Sequence, residues 1–155
     1  MSYIWIVNIC AGIGIIFIIH FIYIFILSKR SKNWEMTEGE ILSSKMYEGL
    51  FIGGVMYKAI IQYKYTIDEK EYLSNRVFYG DDIGKDFSCS VKTIVKKYVK
   101  GEKVLVYYNP EYPNQSVLET GVHGVIYREL FAGILFLFLS VILFTKESFF
   151  ISFIR

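Results

Sequence analysis

The sequence predicts a membrane protein of the α+β class: two transmembrane helices flanking a small, mainly antiparallel β domain with one helix. Three observations predict it. A run without a formally charged side chain extends from Tyr3 to Leu27, a second apolar run lies near the C-terminus, and most charged residues collect between them. The middle also contains segments that alternate apolar and polar residues, the period of a half-buried strand. The expected boundaries are 3–27 for the first transmembrane helix, 34–121 for the β-rich domain, 125–145 for the second transmembrane helix and 146–155 for a short apolar tail.

Composition agrees with this division. The 155 residues suffice for one small domain. Hydrophobic residues make up 54% of the chain, above the 45–50% usual in soluble domains, and the excess sits at the two ends. A net charge of +2 gives no electrostatic case for nucleic acid. Cys10 and Cys89 are the two cysteines, one in the first apolar run and one in the polar middle, so no disulfide framework is expected.

The first run is long enough to cross a bilayer, because a core about 30 Å thick needs roughly 20 helical residues. A cleaved signal peptide would start with basic residues and carry a shorter apolar stretch. Here the start is Met-Ser-Tyr and Ser28-Lys29-Arg30 follow the run, which favours a retained span. Tyr3, Trp5 and Tyr23 suit interfacial anchoring. Asn8 and His20 are polar residues inside the span, at different levels. Intramembrane polar groups are functional candidates; the plainer reading is a helix–helix hydrogen bond or contact with interfacial water. Cys10 and Gly14 form a small-xxx-small pair that suits contact between the two spans.

The second run is Leu130–Phe144, extended backward by Val125, Ile126 and Tyr127, with Arg128 and Glu129 near the membrane surface. Lys146 and Glu147 mark the far side, and the tail beyond them either continues the helix or lies in the interface. Lys29, Arg30 and Lys32 place the middle domain in the cytoplasm by the positive-inside rule.

In the middle, Glu38–Tyr47 reads as a strand and Gly53-Gly54 as a break. Val55–Ile67 alternates strictly, with Tyr57, Ile61, Tyr63 and Tyr65 on one face and Lys58, Gln62 and Lys64 on the other. Asp68-Glu69-Lys70 is a polar turn and Glu71–Tyr79 the returning strand. Ser90–Lys100 shifts to helical spacing and ends at Gly101, where a C-cap glycine belongs. Lys103–Tyr108 is apolar on both faces and reads as a central strand. Asn109–Asn114 holds two prolines and turns the chain into a last short strand, Gln115–Glu119.

This order resembles a bacterial family catalogued as domain of unknown function 3592. The residues that carry the resemblance are Gly101, Val104, Val106, Tyr108, Asn109, Pro110 and Pro113, preceded by the Thr37–Leu42 strand and the Tyr63–Tyr72 hairpin. It implies a bacterial membrane protein with a β-rich domain between two helices, and it brings no catalytic residues. The implied location is the bacterial cytoplasmic (inner) membrane, crossed more than once.

Residue patterns for chemistry are sparse. Asp81, Asp82 and Asp86 invite a calcium reading, but a calcium loop started at Asp81 would have Asp86 where glycine is required and Lys92 where glutamate is required. His20 and His123 have no metal-ligand spacing. No nucleophile or phosphate-loop motif occurs, so no catalytic residue, metal or cofactor is expected. Lys92, Lys96, Lys97 and Lys100 recur on the expected helix, opposite Val91, Ile94, Val95 and Tyr98. They form either the solvated side of an amphipathic helix or a face for anionic lipid headgroups, each lysine contributing about 1 kcal/mol. The expected function is a membrane-anchored, non-enzymatic binding or accessory protein. Its partners are the lipid bilayer and an unidentified protein at the membrane, with the strand tyrosines either in the contact or in the core. The alternative is an immunity protein that neutralises a membrane-acting toxin.

Overall fold

The computed structural model describes residues 4–51, 54–81 and 88–154. The class is α+β, with an antiparallel sheet, one short helix and two long apolar helices near the ends of the chain. The chain divides into two compact units. One combines the stretch up to Phe25 with the stretch from Ile126, and the other is Ile26–Val125.

The helical unit pairs α1 (Ile4–Arg30) with α3 (Tyr127–Ile154). The second helix therefore continues through most of the tail. Partner numbers fall along α3 as they rise along α1, so the two run antiparallel: Gly14 meets Gly133, His20 meets Glu129, and Phe21 meets Tyr127. Glycine is required at the first of these contacts. A Cβ on Gly14 would lie 2.9 Å from the Gly133 carbonyl oxygen, and one on Gly133 would lie 3.0 Å from that of Gly14. Small residues of this kind let helix backbones approach closely. Phe17 and Phe136 stack at 6.0 Å beside them.

The second unit is built on β1 (Glu35–Phe51), β2 (Gly54–Ile67), β3 (Lys70–Ser74), α2 (Ser88–Lys97), β4 (Lys103–Tyr108) and β5 (Ser116–Val117). The sheet order is β3-β2-β1-β4-β5, with every neighbour antiparallel. Asp68 and Glu69 both have positive φ, at 47° and 64°. With Ile67 paired to Lys70 they make the two-residue turn whose twist suits a hairpin. Gly39 has a packing cause, since a Cβ there would lie 2.6 Å from both the Lys64 carbonyl and Val106 Cγ2.

Ile41, Ile61, Tyr63, Tyr65, Val77, Tyr98, Val106 and Leu118 form the core. Tyr63 and Tyr65 of β2 thus point inward, where their rings fill volume that a small domain lacks aliphatic side chains to fill. Their hydroxyls are satisfied there: Tyr63 donates to the Arg76 carbonyl at 2.9 Å and meets Ser116 Oγ at 3.0 Å, and Tyr65 donates to the Pro113 carbonyl at 2.7 Å. Burial pushes the Tyr63 phenol up to about 12.

Several sequence readings change. The central strand is β1, not β4, which lies one place in from the edge with Leu105 53% exposed; apolar character on both faces did not mean burial on both. The returning strand stops at Ser74 because the chain then leaves β2. The Val77 carbonyl accepts from the Leu118 and Glu119 N–H groups, and Val77 N donates to Asp81 Oδ2. The helix spans Ser88–Lys97 in place of Ser90–Lys100, and the last strand is the pair Ser116–Val117.

Candidate functional site

The lysines of α2 separate into two groups. Lys92 and Lys96 are exposed on the helix, and Lys100 is exposed just after it. Lys97 instead donates to Glu119 Oε1 at 2.7 Å and stands 5.2 Å from the centre of the Tyr98 ring. The helix turns its other side inward, with Val91 and Tyr98 buried and Ile94 and Val95 packed against the core. Lys92, Lys96 and Lys100 form a stripe on the solvent side, and Lys97, its side chain 57% exposed, is tied to Glu119.

That tie is invisible in sequence, because its members are far apart along the chain. Glu119 Oε1 also accepts from Tyr98 OH at 2.8 Å, and Glu119 Oε2 lies 3.9 Å from His123 Nε2. The His123 ring stacks on Phe78 at 4.0 Å. Burial raises the Glu119 carboxyl, but bonds from Lys97 and Tyr98 and nearby positive charge outweigh it and hold the carboxyl below its usual range. Burial, helped by the Lys97 charge and opposed by Glu119, lowers His123. The arrangement clamps α2 to the segment after β5.

A recess of about 370 Å³ opens elsewhere, lined by Leu42, Gln62, Tyr63, Leu73, Ser74 and Asn75. Its walls are amides, hydroxyls and aliphatic groups, which can hydrogen-bond a ligand but offer no base near neutral pH. Asp81 caps the Val77 N–H, while Asp82 and Asp86 lie outside the described residues. Among the described residues no cluster of three or more histidines, cysteines or carboxylates is placed to hold a metal.

The most open feature is a two-stranded ribbon. β1 pairs with β4 only over Glu35–Glu40, and β2 pairs with β3 only over Tyr63–Ile67. From Ser43 to Phe51 and from Gly54 to Gln62 the two strands pair only with each other among the described residues. α2 covers the base of the ribbon, where Ser44 Oγ donates to the Val95 carbonyl at 3.2 Å. Beyond that, Lys45, Met46, Tyr47 and Glu48 are exposed in succession, while their β2 partners Tyr57 to Ile60 are half-buried. Tyr47 is 55% and Val55 43% exposed. Unpaired strand edges of this kind are templates for another extended segment.

Residues 37–123 match the family described as a domain of unknown function, DUF3592. The chain belongs to this family. The match covers more than half of the chain, in agreement with the resemblance carried by the Gly101–Pro113 block. The DUF3592 region runs from Thr37 in β1 to His123, so the ribbon, α2 and the Glu119 tie all lie inside it. No curated protein matches the chain.

In the helical unit, His20 Nδ1 and Glu129 Oε2 are 2.6 Å apart. His20, singled out in the sequence as an intramembrane polar residue, thus joins the two helices. The Glu129 side chain is only 12% exposed. Asn8 is exposed on α1.

Proposed function

We propose that this DUF3592 protein is a membrane-anchored binding module. Its two helices cross a bacterial cytoplasmic membrane, and its β domain, on the cytoplasmic side, holds a protein partner along the β1–β2 ribbon. The observation that carries the binding reading is that ribbon, over which the two strands pair with no other strand among the described residues and whose β1 side is exposed from Lys45 to Glu48. A partner's extended segment would complete its hydrogen bonds, the mode known as strand addition. Anchoring is supported by the two helices, whose most apolar windows have mean hydropathy 2.7 and 2.0 and are only 6% and 17% buried. A core helix of a soluble protein would bury such a surface. Tethering would also raise the effective concentration of a membrane-bound partner.

The test uses the full chain in its native membrane, with a photo-crosslinking residue at Tyr47 and another at Leu105 as control. The expected result is one specific partner captured from Tyr47 and not from Leu105, with capture lost in the variant Met46→Pro, which removes an edge donor and disfavours pairing. A toxin as that partner would narrow the reading to immunity. Turnover of a small molecule by the purified protein, abolished by changing one residue of the Gln62–Asn75 recess, would replace the binding reading with an enzyme.

A further inference from the structure

We infer that two copies of this chain associate through the outer face of α1, with the Asn8 amides of the two copies hydrogen-bonded over a groove at Gly12. The inference goes beyond partner binding by the β domain and rests on the reading that the helices cross a membrane.

The starting point is a contrast among polar side chains of the helical unit. Glu129 is turned toward α1 and bonded to His20, Ser140 is buried, and the Thr145 hydroxyl donates to the Ile142 carbonyl in its own helix. Each has its polar atom sheltered or paired within the chain. Asn8 is exposed and makes no hydrogen bond with any described residue. It lies one turn inside Trp5, which is 74% exposed and suited to the headgroup level. Three residues of helix place Asn8 about 4.5 Å deeper, where an unpaired amide is unfavourable in hydrocarbon. An amide carries both donors and an acceptor, so it is complementary to a second copy of itself.

The surroundings fit such a pairing. Gly12 follows Asn8 by one turn on the same face, and a Cβ built there meets nothing within 4 Å. Gly14, by contrast, is occupied by α3. Gly12 therefore offers a groove that the chain itself does not fill. Ile15, Ile19, Ile22 and Ile26 continue the face at 51%, 61%, 49% and 44% exposure. Trp5, Asn8, Gly12, Ile15, Ile19, Ile22 and Ile26 alternate in steps of three and four, the seam of a left-handed helix pair. In a parallel pair with two-fold symmetry each residue faces its own counterpart, so Asn8 meets the partner's Asn8. A single polar residue in an apolar seam also fixes register. The exposed side of α3, with Phe131, Ile134, Leu135, Phe138 and Val141, carries no such group and suits lipid.

The test uses full-length protein in phosphatidylethanolamine–phosphatidylglycerol vesicles and in native membranes, with Cys10→Ser and Cys89→Ser as background. Ile15→Cys is expected to give a disulfide-linked dimer of this chain on mild oxidation, and Phe138→Cys is not. Asn8→Leu should weaken the dimer about three- to tenfold, the range for an interhelical hydrogen bond, and Asn8→Gln should restore most of it. Equal crosslinking at both cysteines, no crosslinking at Ile15→Cys, an unchanged dimer in Asn8→Leu, or a link from Ile15→Cys to a different protein would each overturn the inference. Carbonate washing separates the two levels: a monomer that stays in the membrane defeats the dimer alone, whereas release into the wash defeats the membrane reading with it.

Discussion

Gly14 and Gly133 are placed so that neither tolerates a side chain: a Cβ on the first would lie 2.9 Å from the carbonyl oxygen of the second. The contact is backbone against backbone, so relief requires the helices to part. Gly14→Ala should destabilise the helix pair by about 1–3 kcal/mol, the usual range for overpacking. Gly12→Ala, two residues away in open space, should leave the pair unchanged. Denaturation with sodium dodecyl sulfate, at protein dilutions that keep the chain monomeric, measures both. Equal effects would mean that Gly14 is not at the contact.

The polar link in the same unit has a separate signature. His20→Ala and Glu129→Ala should each weaken the pair, and the double variant should cost less than the sum. A double-mutant cycle is expected to give a coupling of about 0.6 kcal/mol, the typical interhelical value in bilayers. Zero coupling would show that the 2.6 Å contact does not contribute to stability.

Val106 and Lys64 distinguish the inside of the β domain from its outside. Val106 is fully buried against Gly39. Val106→Asp strands a carboxylate where desolvation costs several kcal/mol, a large share of a small domain's stability, so the domain should become sensitive to protease. Lys64 sits 3.3 Å from Glu40 and 3.9 Å from Glu71, with a side chain 36% exposed. Lys64→Asp removes two surface pairs and sets like charges side by side, a loss of about 1 kcal/mol, and the domain should stay protease-resistant.

What the sequence disclosed follows from which forces leave a local pattern. Burial of one face does, so Val55–Ile67 was legible as a strand and Gly14 as a helix contact. Long-range pairing does not. Val77 and Tyr79 continue an alternating pattern, yet the Val77 carbonyl bonds to residues beyond β5, and the strand ends early. The sequence places β1 at Glu38–Tyr47, and the strand extends further at both ends, to Glu35 and Phe51; Lys45 to Glu48 are exposed in succession, so no burial period marks where it stops. Lys97 looked like its neighbours until Glu119 was placed beside it, and nothing in the spacing of those two residues announces the bond. Gly133 was hidden inside a uniformly apolar run.

Acid should loosen the clamp formed by Lys97, Tyr98, Glu119 and His123. His123 titrates lower in the folded state than in the unfolded state. The unfolded chain therefore binds the proton first, and stability falls as pH drops below about 6.5. Glu119 is also lowered, so its contribution is present above the usual carboxylate value and lost as pH falls through its folded value. The two effects have the same sign and act in successive windows. The melting temperature of the protein should fall as pH drops from 7 and go on falling below 4.5. His123→Gln should flatten the upper part of that fall and Glu119→Gln the lower part. A profile unaltered by both substitutions would exclude the clamp as its source.

Sidedness is open to a direct test. Lys29, Arg30 and Lys32 follow the first apolar helix, with no counterpart among residues 1–28. Positive charge close to a span is retained in the cytoplasm, so the domain should lie there. The second helix is neutral on this point, since Arg128 precedes its apolar stretch and Lys146 follows. Lys96, exposed on α2, provides a reporter position. Lys96→Cys, with both native cysteines changed to serine, should resist an impermeant thiol reagent in intact cells and react after the membrane is permeabilised. Met1 extended by a cysteine-containing tag should behave in the opposite way, because one span separates the N-terminus from the domain. Labelling of Lys96→Cys in intact cells would reverse the orientation while leaving the two spans in place. Labelling of both sites only after permeabilisation would show that the first helix does not cross.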